Sequence, residues 1–588
     1  MLECRAMALD QTVPTSPARS SRDVVDRALT ELHAHRTEWA RLPVLEKRAL
    51  LEQIKDRAAR LAPEWVEVAT RIKRLPTGSP IAGEEWMSGP WALIAGIVGL
   101  SRTLERIARG RDPLEGARLH RAADGRVIVD VFPSSPFEQV LLSGYSASVW
   151  MQPGVDEREV RRSAGSFHRH VRDPIGSLAL VLGAGNITSI APLDVLYEMI
   201  AEGRVVVLKM SPVNEALGPV LERVMAPLVE RGFLRFVYGG ADVGEMLTRH
   251  RLVEKIHVTG SAATHDAIVF GTGDEGRARK QRREPLTQIP VTSELGGVGP
   301  VIVVPGVWSE ADMRFQAEHV ATQKLHNAGF NCVAAQVLVL HREWPLRERF
   351  LAILRDTIAQ LPKRAAYYPG ADARQRDAVE KHARSELLGG QDVPYTRIVD
   401  LDPDDRSAPA YRSEFFGATW AETSISAPDV QSFLARAVTF ANERLMGTLG
   451  AQILVHPATQ RAHRAAIERA ITDLRYGTIA VNAWSGVGFL LANASWGAFP
   501  GHTLEDIQSG RGVVHNAMLL ERTEKTVVRG PFAPFPRSLL LGERHTSPKP
   551  PWFVTHRRSD RVGALLTQFE AAPSWRKLPA IFAAALSG

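Results

Sequence analysis

Cysteine is nearly absent: the 588 residues hold two, Cys4 and Cys332. Two thiols build neither a disulfide framework nor a four-thiolate metal site, so no metal centre is expected, and a chain that leaves its cysteines unpaired suits a reducing, cytoplasmic setting. Long apolar runs are lacking as well. The longest near-uncharged stretch, Trp91 to Leu100, falls well short of the ~20 residues a membrane-spanning helix needs, and no apolar signal core stands near the N-terminus. Neither charge dominates. Lys and Arg number 72 against 65 acidic residues, a diffuse excess of +7, and no nucleic-acid motif accompanies it. The dense exception, Arg277-Ala-Arg-Lys-Gln-Arg-Arg283, reads as a solvated loop, with contact to an anion such as phosphate as the alternative.

What is present is alternation. Residues 1–20, rich in Pro, Ser, Thr and Arg, read as a poorly ordered tail. From Arg22 to about Lys73, and again from Glu84 to Ala108, apolar residues return at helical spacing. Near Gly125 the period changes to β, with Arg126–Phe132 and Glu138–Ser143 as strands broken by Pro133 and Pro136. Then short branched strands, Ser177–Leu182, Arg204–Lys209, Phe233–Tyr238 and Lys255–Val258, alternate with helix-like segments. That order implies a parallel sheet covered on both faces, which binds ligands at the carboxyl ends of its strands. Special residues stand at those ends: Gly183-Ala-Gly-Asn186, Lys209, Gly239-Gly240 and Thr259-Gly-Ser261. A new strand, Val301–Val304, opens a second α/β region, and Cys332 lies in it, at the end of the turn Asn327-Ala-Gly-Phe-Asn-Cys332 between a helix-like and a strand-like run.

In order and spacing these motifs resemble the aldehyde dehydrogenase superfamily over roughly residues 25 to 530. The resemblance rests on Gly185-Asn-Ile187, Val207-Leu-Lys-Met-Ser211, Gly239-Gly-Ala-Asp-Val-Gly244 with Val258-Thr-Gly-Ser261, Glu294-Leu-Gly-Gly297, the Cys332 turn and Glu414-Phe-Phe-Gly417. It implies a Rossmann-type parallel-sheet cofactor domain (21–124 and 171–292), a small β oligomerisation element (125–170), an α/β catalytic domain (293–500) and a C-terminal return with an extension (501–588). It also implies oxidation of an aldehyde to a carboxylate with NAD or NADP in a homodimer or homotetramer. Cys332 would attack the aldehyde carbon as thiolate, the Asn186 amide and the Cys332 N–H would hold the oxyanion, and Glu294 would deprotonate the hydrolytic water. Lys209 would meet the adenosine ribose, Ser261 with Thr259 and Gly260 the pyrophosphate, and Glu414 the nicotinamide ribose. Gly240, Gly244 and Phe416 complete the cofactor-binding positions, although by residue type Phe416 and Trp484 read as core or pocket wall rather than as specific readers.

The sequence departs from the family at informative places. Phe330 stands where the family usually has glutamine, and Pro212 where many members carry an acid that excludes a 2′-phosphate. Two rival readings are a CoA-acylating dehydrogenase, which needs no base at Glu294, and a non-catalytic scaffold, which needs none of Cys332, Glu294, Asn186 and Lys209. The apolar stretch Trp484–Leu491 suits a hydrophobic aldehyde. The C-terminal apolar residues, from Val562 to Phe582, are expected to pack on a neighbouring domain or subunit, with a membrane surface as the alternative.

Overall fold

The computed structural model describes residues 15–390 and 393–588; Cys4 and most of the 1–20 tail lie outside the described residues. Two sheets organise the protein. The first has six strands in the order Gly510–Arg511, Val291–Leu295, Lys255–Gly260, Leu178–Leu182, Val205–Lys209, Leu234–Val237. All its pairings are parallel except that of the short Gly510–Arg511. Val205–Lys209 is buried along its whole length, which is why it reads as an unbroken Val/Leu run rather than an alternation. Helices Arg22–Arg41 and Ile190–Ile200 share its core cluster.

The chain enters this sheet at Leu178–Leu182, steps outward twice, then returns to Lys255–Gly260 on the other side of its starting strand. That reversal leaves a crevice at the carboxyl ends of the two central strands. Gly183 to Asn186 and Gly260 to Ser261 form its lips.

The second sheet has eleven strands. Its central strands, among them Gly299–Val303, Ala335–His341 and Thr419–Ile425, are parallel. The strands Val127–Phe132 and Ser146–Met151 join it antiparallel through Thr523–Arg529, so the segment ahead of the first sheet and the segment behind the Cys332 turn are sewn into one layer.

Four local expectations are corrected. Residues 138–143 are not a strand: Pro136–Leu141 is a helix, because Ser135 caps the Glu138 N–H at 3.2 Å and proline occupies the first turn, where a missing N–H costs nothing. The basic run is not a loop but most of helix Gly273–Arg282, with Asp274 and Glu275 in its first turn and Arg279, Lys280 and Arg282 in its last, opposing the helix dipole at both ends. Lys280 pairs with Asp266 at 2.7 Å and Arg279 with Glu275 at 3.0 Å, so those two cations already have partners. Ser20, placed in the disordered tail, is buried and exchanges hydrogen bonds with Tyr238 at 3.0 Å. Glu294, outside every strand read from the sequence, lies on strand Val291–Leu295.

The C-terminal helices pack within the same chain: Ser559–Ala571 on the helical turns around Gly83–Trp86 and on helix Ala92–Ala108, and Leu578–Leu586 on Ser559–Ala571 and beside Phe137 and Leu141. A side chain at Gly83 would strike the Ser559 backbone at 2.3 Å. Phe137 closes the far side, its ring 4.5 Å from Trp575 and 5.4 Å from Phe569.

Candidate active site

The turn before Cys332 holds backbone that L-residues avoid. Asn327 and Ala328 have φ of 55° and 53°, and Gly329 has 83°. Such conformations cost on the order of 1–3 kcal/mol each for non-glycine residues and persist only where neighbours fix them. Here the neighbours are plain. The Asn327 N–H donates to Glu84 Oε2 at 2.9 Å; its side-chain amide donates to the carbonyls of Asn186 at 3.1 Å and Phe330 at 3.0 Å; the Tyr367 hydroxyl donates to its Oδ1 at 3.0 Å. Gly329 cannot be replaced, since a Cβ there would lie 2.4 Å from the Gly417 carbonyl oxygen.

Glu84 comes from a helical turn 243 positions earlier in the chain. Arg364 grips it with two hydrogen bonds of 2.9 and 3.0 Å and also donates to the Leu325 carbonyl at 3.3 Å. Burial alone would push the Glu84 carboxyl up, but Arg364, His326 and the Asn327 N–H hold it below the usual range. It is therefore a buried carboxylate with every oxygen engaged. Nothing in the sequence points to Glu84, Arg364 or Tyr367.

The thiol itself points at a carboxyl: Cys332 Sγ donates to Glu294 Oε1 at 3.2 Å. Burial, then the negative charges of Glu294 and Glu414, push the thiol well above its usual pKa, so the group at rest is a protonated thiol. Burial and the nearby Asp194 push Glu294 up to about 7, opposed by Trp496, Cys332 and His257. A buried acid near neutrality beside a thiol is poised to take its proton. Asn186 is buried, and its amide donates to the Phe330 carbonyl at 2.9 Å; an amide nitrogen carries two protons, which leaves one for another acceptor.

Behind Glu294 lies a pair the sequence did not reveal. Thr259 stands opposite Glu294 in the parallel register, and its hydroxyl donates to Asp194 Oδ2 at 2.9 Å. His257 Nε2 is 3.5 Å from the same oxygen, with both side chains buried. Burial raises Asp194; burial lowers His257, but Asp194 outweighs it and leaves the imidazole raised. Thr259, expected at the cofactor, thus has its hydroxyl turned inward.

From the thiol a cleft of about 1280 Å³ runs along the strand ends to Lys209, Gly240 and Ser261. All eleven predicted site residues line it. Its two distal helix N-termini open into it: Ser261 caps Ala262–Val269 through the Thr264 N–H, and Gly240 starts Ala241–Thr248 without a side-chain cap. Such ends attract phosphate. A Cβ at Gly244 would meet nothing within 4 Å, so a ligand can approach the backbone there. Lys209 is buried at the wall, its pKa lowered by burial, and its ammonium has no hydrogen bond or ion pair among the described residues. Glu414 is pressed over Gly296, where a Cβ would lie 1.9 Å from its Oε2. Burial pushes it up to about 8 against Lys324 and Arg374, and Oε1 is buried without a partner. Orphaned acceptor, unpaired cation, bare glycine and open helix ends fit a ligand with hydroxyls and phosphates, as a dinucleotide has.

Phe416, with φ 37°, joins a ring cluster with Tyr368 at 4.9 Å and Phe330 at 5.6 Å. Phe330, the departure noted in the sequence, fills this cluster with about 1% of its surface exposed. Trp484 is buried with its ring 4.7 Å from His326, a wall of the nucleophile turn.

Residues 144–395 match the model of the Aldehyde dehydrogenase family. The chain is 28% identical over 204 residues to D-glyceraldehyde dehydrogenase (NADP(+)) of Thermoplasma acidophilum, covering 33% of this chain and 38% of that one. It is 28% identical over 284 residues to coniferyl aldehyde dehydrogenase of Pseudomonas sp. (strain HR199), covering 45% and 53%. The matched stretches thus span about a third to a half of these relatives. Among solved structures, an indole-3-acetaldehyde dehydrogenase complexed with NAD+ superposes with a TM-score of 0.59 at 16% identity, over 88% of this chain and 91% of that one, a likeness of fold.

Proposed function

Because the chain carries an Aldehyde dehydrogenase family domain within the fold those enzymes share, we propose that it oxidises an aldehyde to a carboxylic acid with NAD or NADP through a thioester on Cys332. The observation that carries this reading is the 3.2 Å hydrogen bond from Cys332 Sγ to Glu294 Oε1 at the inner end of the strand-end cleft. Glu294 takes the thiol proton, and the thiolate adds to the carbonyl carbon. The second Asn186 N–H and the Cys332 backbone N–H meet the oxygen as it becomes an anion. The nicotinamide, when bound, supplies the acceptor for the hydride that leaves this carbon. Cys332 then holds a thioester, Glu294 passes the thiol proton to solvent and, ionised again, deprotonates the water that attacks the thioester, and the thiolate departs as the acid is released.

The orphaned Glu414 Oε1 suits a ribose hydroxyl, Lys209 the other ribose, and the helix start at Ser261 with Gly260 the pyrophosphate. Pro212 at the cleft wall carries no charge to repel a 2′-phosphate. Strand Leu119–Arg121 ends the eleven-stranded sheet with one side unpaired, which suits assembly of copies through that edge. The reducing cytoplasm is the compartment in which a lone catalytic thiol persists. Steady-state assays of aldehydes with NAD+ and NADP+, with and without CoA, test the reading. Carboxylate release without CoA is expected. An absolute requirement for CoA sinks it in favour of an acylating enzyme.

A further inference from the structure

A second, separate cavity of about 130 Å³ lies beneath the C-terminal helices. Trp91 and Val98 line it from the N-terminal helices, Leu490 and Leu491 from the segment after Trp484, and Leu566 and Phe582 from the C-terminal pair. An apolar cavity of this size accommodates about one six-membered ring. Four charged residues, Arg102, Glu138, Lys549 and Glu570, interrupt the lining. Glu570 faces the cavity, its carboxyl makes no hydrogen bond or ion pair among the described residues, and burial pushes it up to about 7, with Glu138 adding to the shift and Arg102 opposing it.

The cavity and the thiol border the same apolar cluster. Met87 and Leu491 line the cavity and belong to the apolar cluster against which Cys332 packs. Helix Ser485–Leu490 joins the two places: it begins at Trp484, packed on His326 of the nucleophile turn, and ends at Leu490 in the cavity wall. Its rise is about 9 Å at 1.5 Å per residue.

We propose that this cavity receives the far end of the aldehyde, an aryl ring carried on a linker of a few carbons, with Glu570 accepting a hydrogen bond from a donor on the ring's outer edge. The inference rests on the aldehyde-oxidising reading above and adds the substrate class to it. Leu566, Glu570 and Phe582 lie beyond the residues that match the family, so this selectivity is written in the chain's own extension. In this proposal the ring reaches the cavity through the shared cluster past Met87 and Leu491, and an unbranched methionine adapts readily.

Rates with propanal, 3-phenylpropanal and 3-(4-hydroxyphenyl)propanal decide the matter. Burying one ring should raise kcat/KM over propanal about ten- to a hundredfold. Leu566→Trp fills the cavity and should remove about tenfold of that preference through KM, while propanal keeps its wild-type rate. Phe582→Ala enlarges the cavity and should shift the preference toward a naphthyl analogue, which keeps the test decisive if the tryptophan variant does not fold. Glu570→Leu should erase the advantage of the hydroxylated ring. If propanal is oxidised but the ring adds nothing, or if Leu566→Trp with an unchanged Tm lowers both aldehydes equally, the cavity is not the tail site and the enzymatic reading stands. If no aldehyde is oxidised and no reduced cofactor forms even in a single turnover, the enzymatic reading falls with it.

Discussion

The nucleophile turn and the ligand-facing wall of the strand-end cleft treat polar groups in opposite ways. At the nucleophile turn Asn327, Glu84, Arg364 and Tyr367 hydrogen-bond one another and hold two left-handed residues in place. On the ligand-facing wall, from Glu414 beside the thiol to Lys209 at the far end, neither the Lys209 ammonium nor Glu414 Oε1 has a hydrogen-bond partner among the described residues. Buried polar groups without partners are costly and therefore uncommon. The hydrogen bonds that fix the turn are made within the protein, whereas Lys209 and Glu414 Oε1, like Glu294 Oε2 beside the thiol, are left for a ligand or a reacting group. Substitution on each side can break the contrast.

The largest effect is expected at Cys332. Cys332→Ser should abolish turnover, since a hydroxyl at neutral pH is far less nucleophilic than a thiolate, yet leave binding of the dinucleotide, measured by calorimetry, unchanged. Loss of both would mean that the two sides are not separable. Next comes Glu294→Gln, which removes the proposed hydrolytic base and should lower steady-state turnover about 10²–10⁴-fold. One equivalent of reduced cofactor per site should still form in a burst if the thiol can lose its proton elsewhere. The 3.2 Å thiol–carboxyl hydrogen bond makes the alternative concrete: if the burst disappears too, Glu294 serves Cys332 before it serves water.

Glu84→Ala tests the satisfied side without touching the reacting atoms. Breaking a buried ion pair on one side typically costs about 3–5 kcal/mol, and here it also frees the Asn327 N–H. Thermal unfolding should show the destabilisation, and Cys332 alkylation should change its pH profile as the turn relaxes. Glu84→Gln, which can still accept from Asn327, should recover part of both. A Tm loss with an unaltered alkylation profile would reduce the network to a scaffold.

This network also marks where the sequence stops being legible. The strand ends could be read because a parallel sheet needs unbroken runs such as Val205–Lys209 and glycine at its ligand-facing turns. The Cys332 turn could be read because its sequence resembles a known motif. Glu84 and Arg364 could not, because their meeting spans 280 positions and leaves no local pattern. Asp194 and His257 were hidden for the same reason, each lying inside an apolar run. Glu138 to Ser143 misled in a different way. The short apolar run Val140-Leu-Leu142 between prolines and Ser143 reads as a strand by length, but leucine favours a helix as readily, and Ser135, Pro136 and Glu138 make a helix start that decided it.

The smallest effect is expected on the unsatisfied wall, and it is read through pH. Glu414 is pushed up to about 8 in the folded protein, well above an unfolded glutamate near 4.3. Between these values the native state binds a proton that the unfolded state has released, so this group's contribution to stability is complete at acid pH and declines as pH rises. The slope per proton is about 1.4 kcal/mol per pH unit. Glu414→Gln removes the titration, and the Tm of the variant should therefore fall less steeply than that of the wild type between about pH 5 and 7, below the range in which the nearby Lys324, lowered to about 7 by burial, loses its own proton. A dinucleotide that donates ribose hydroxyls to the carboxylate favours its charged form. Its stabilising effect should consequently grow with pH in the wild type and stay flat in Glu414→Gln. Parallel Tm curves for the two proteins, with and without dinucleotide, would show that the orphaned oxygen neither titrates in this range nor waits for a ligand, and the contrast between the two sides would lose its second half.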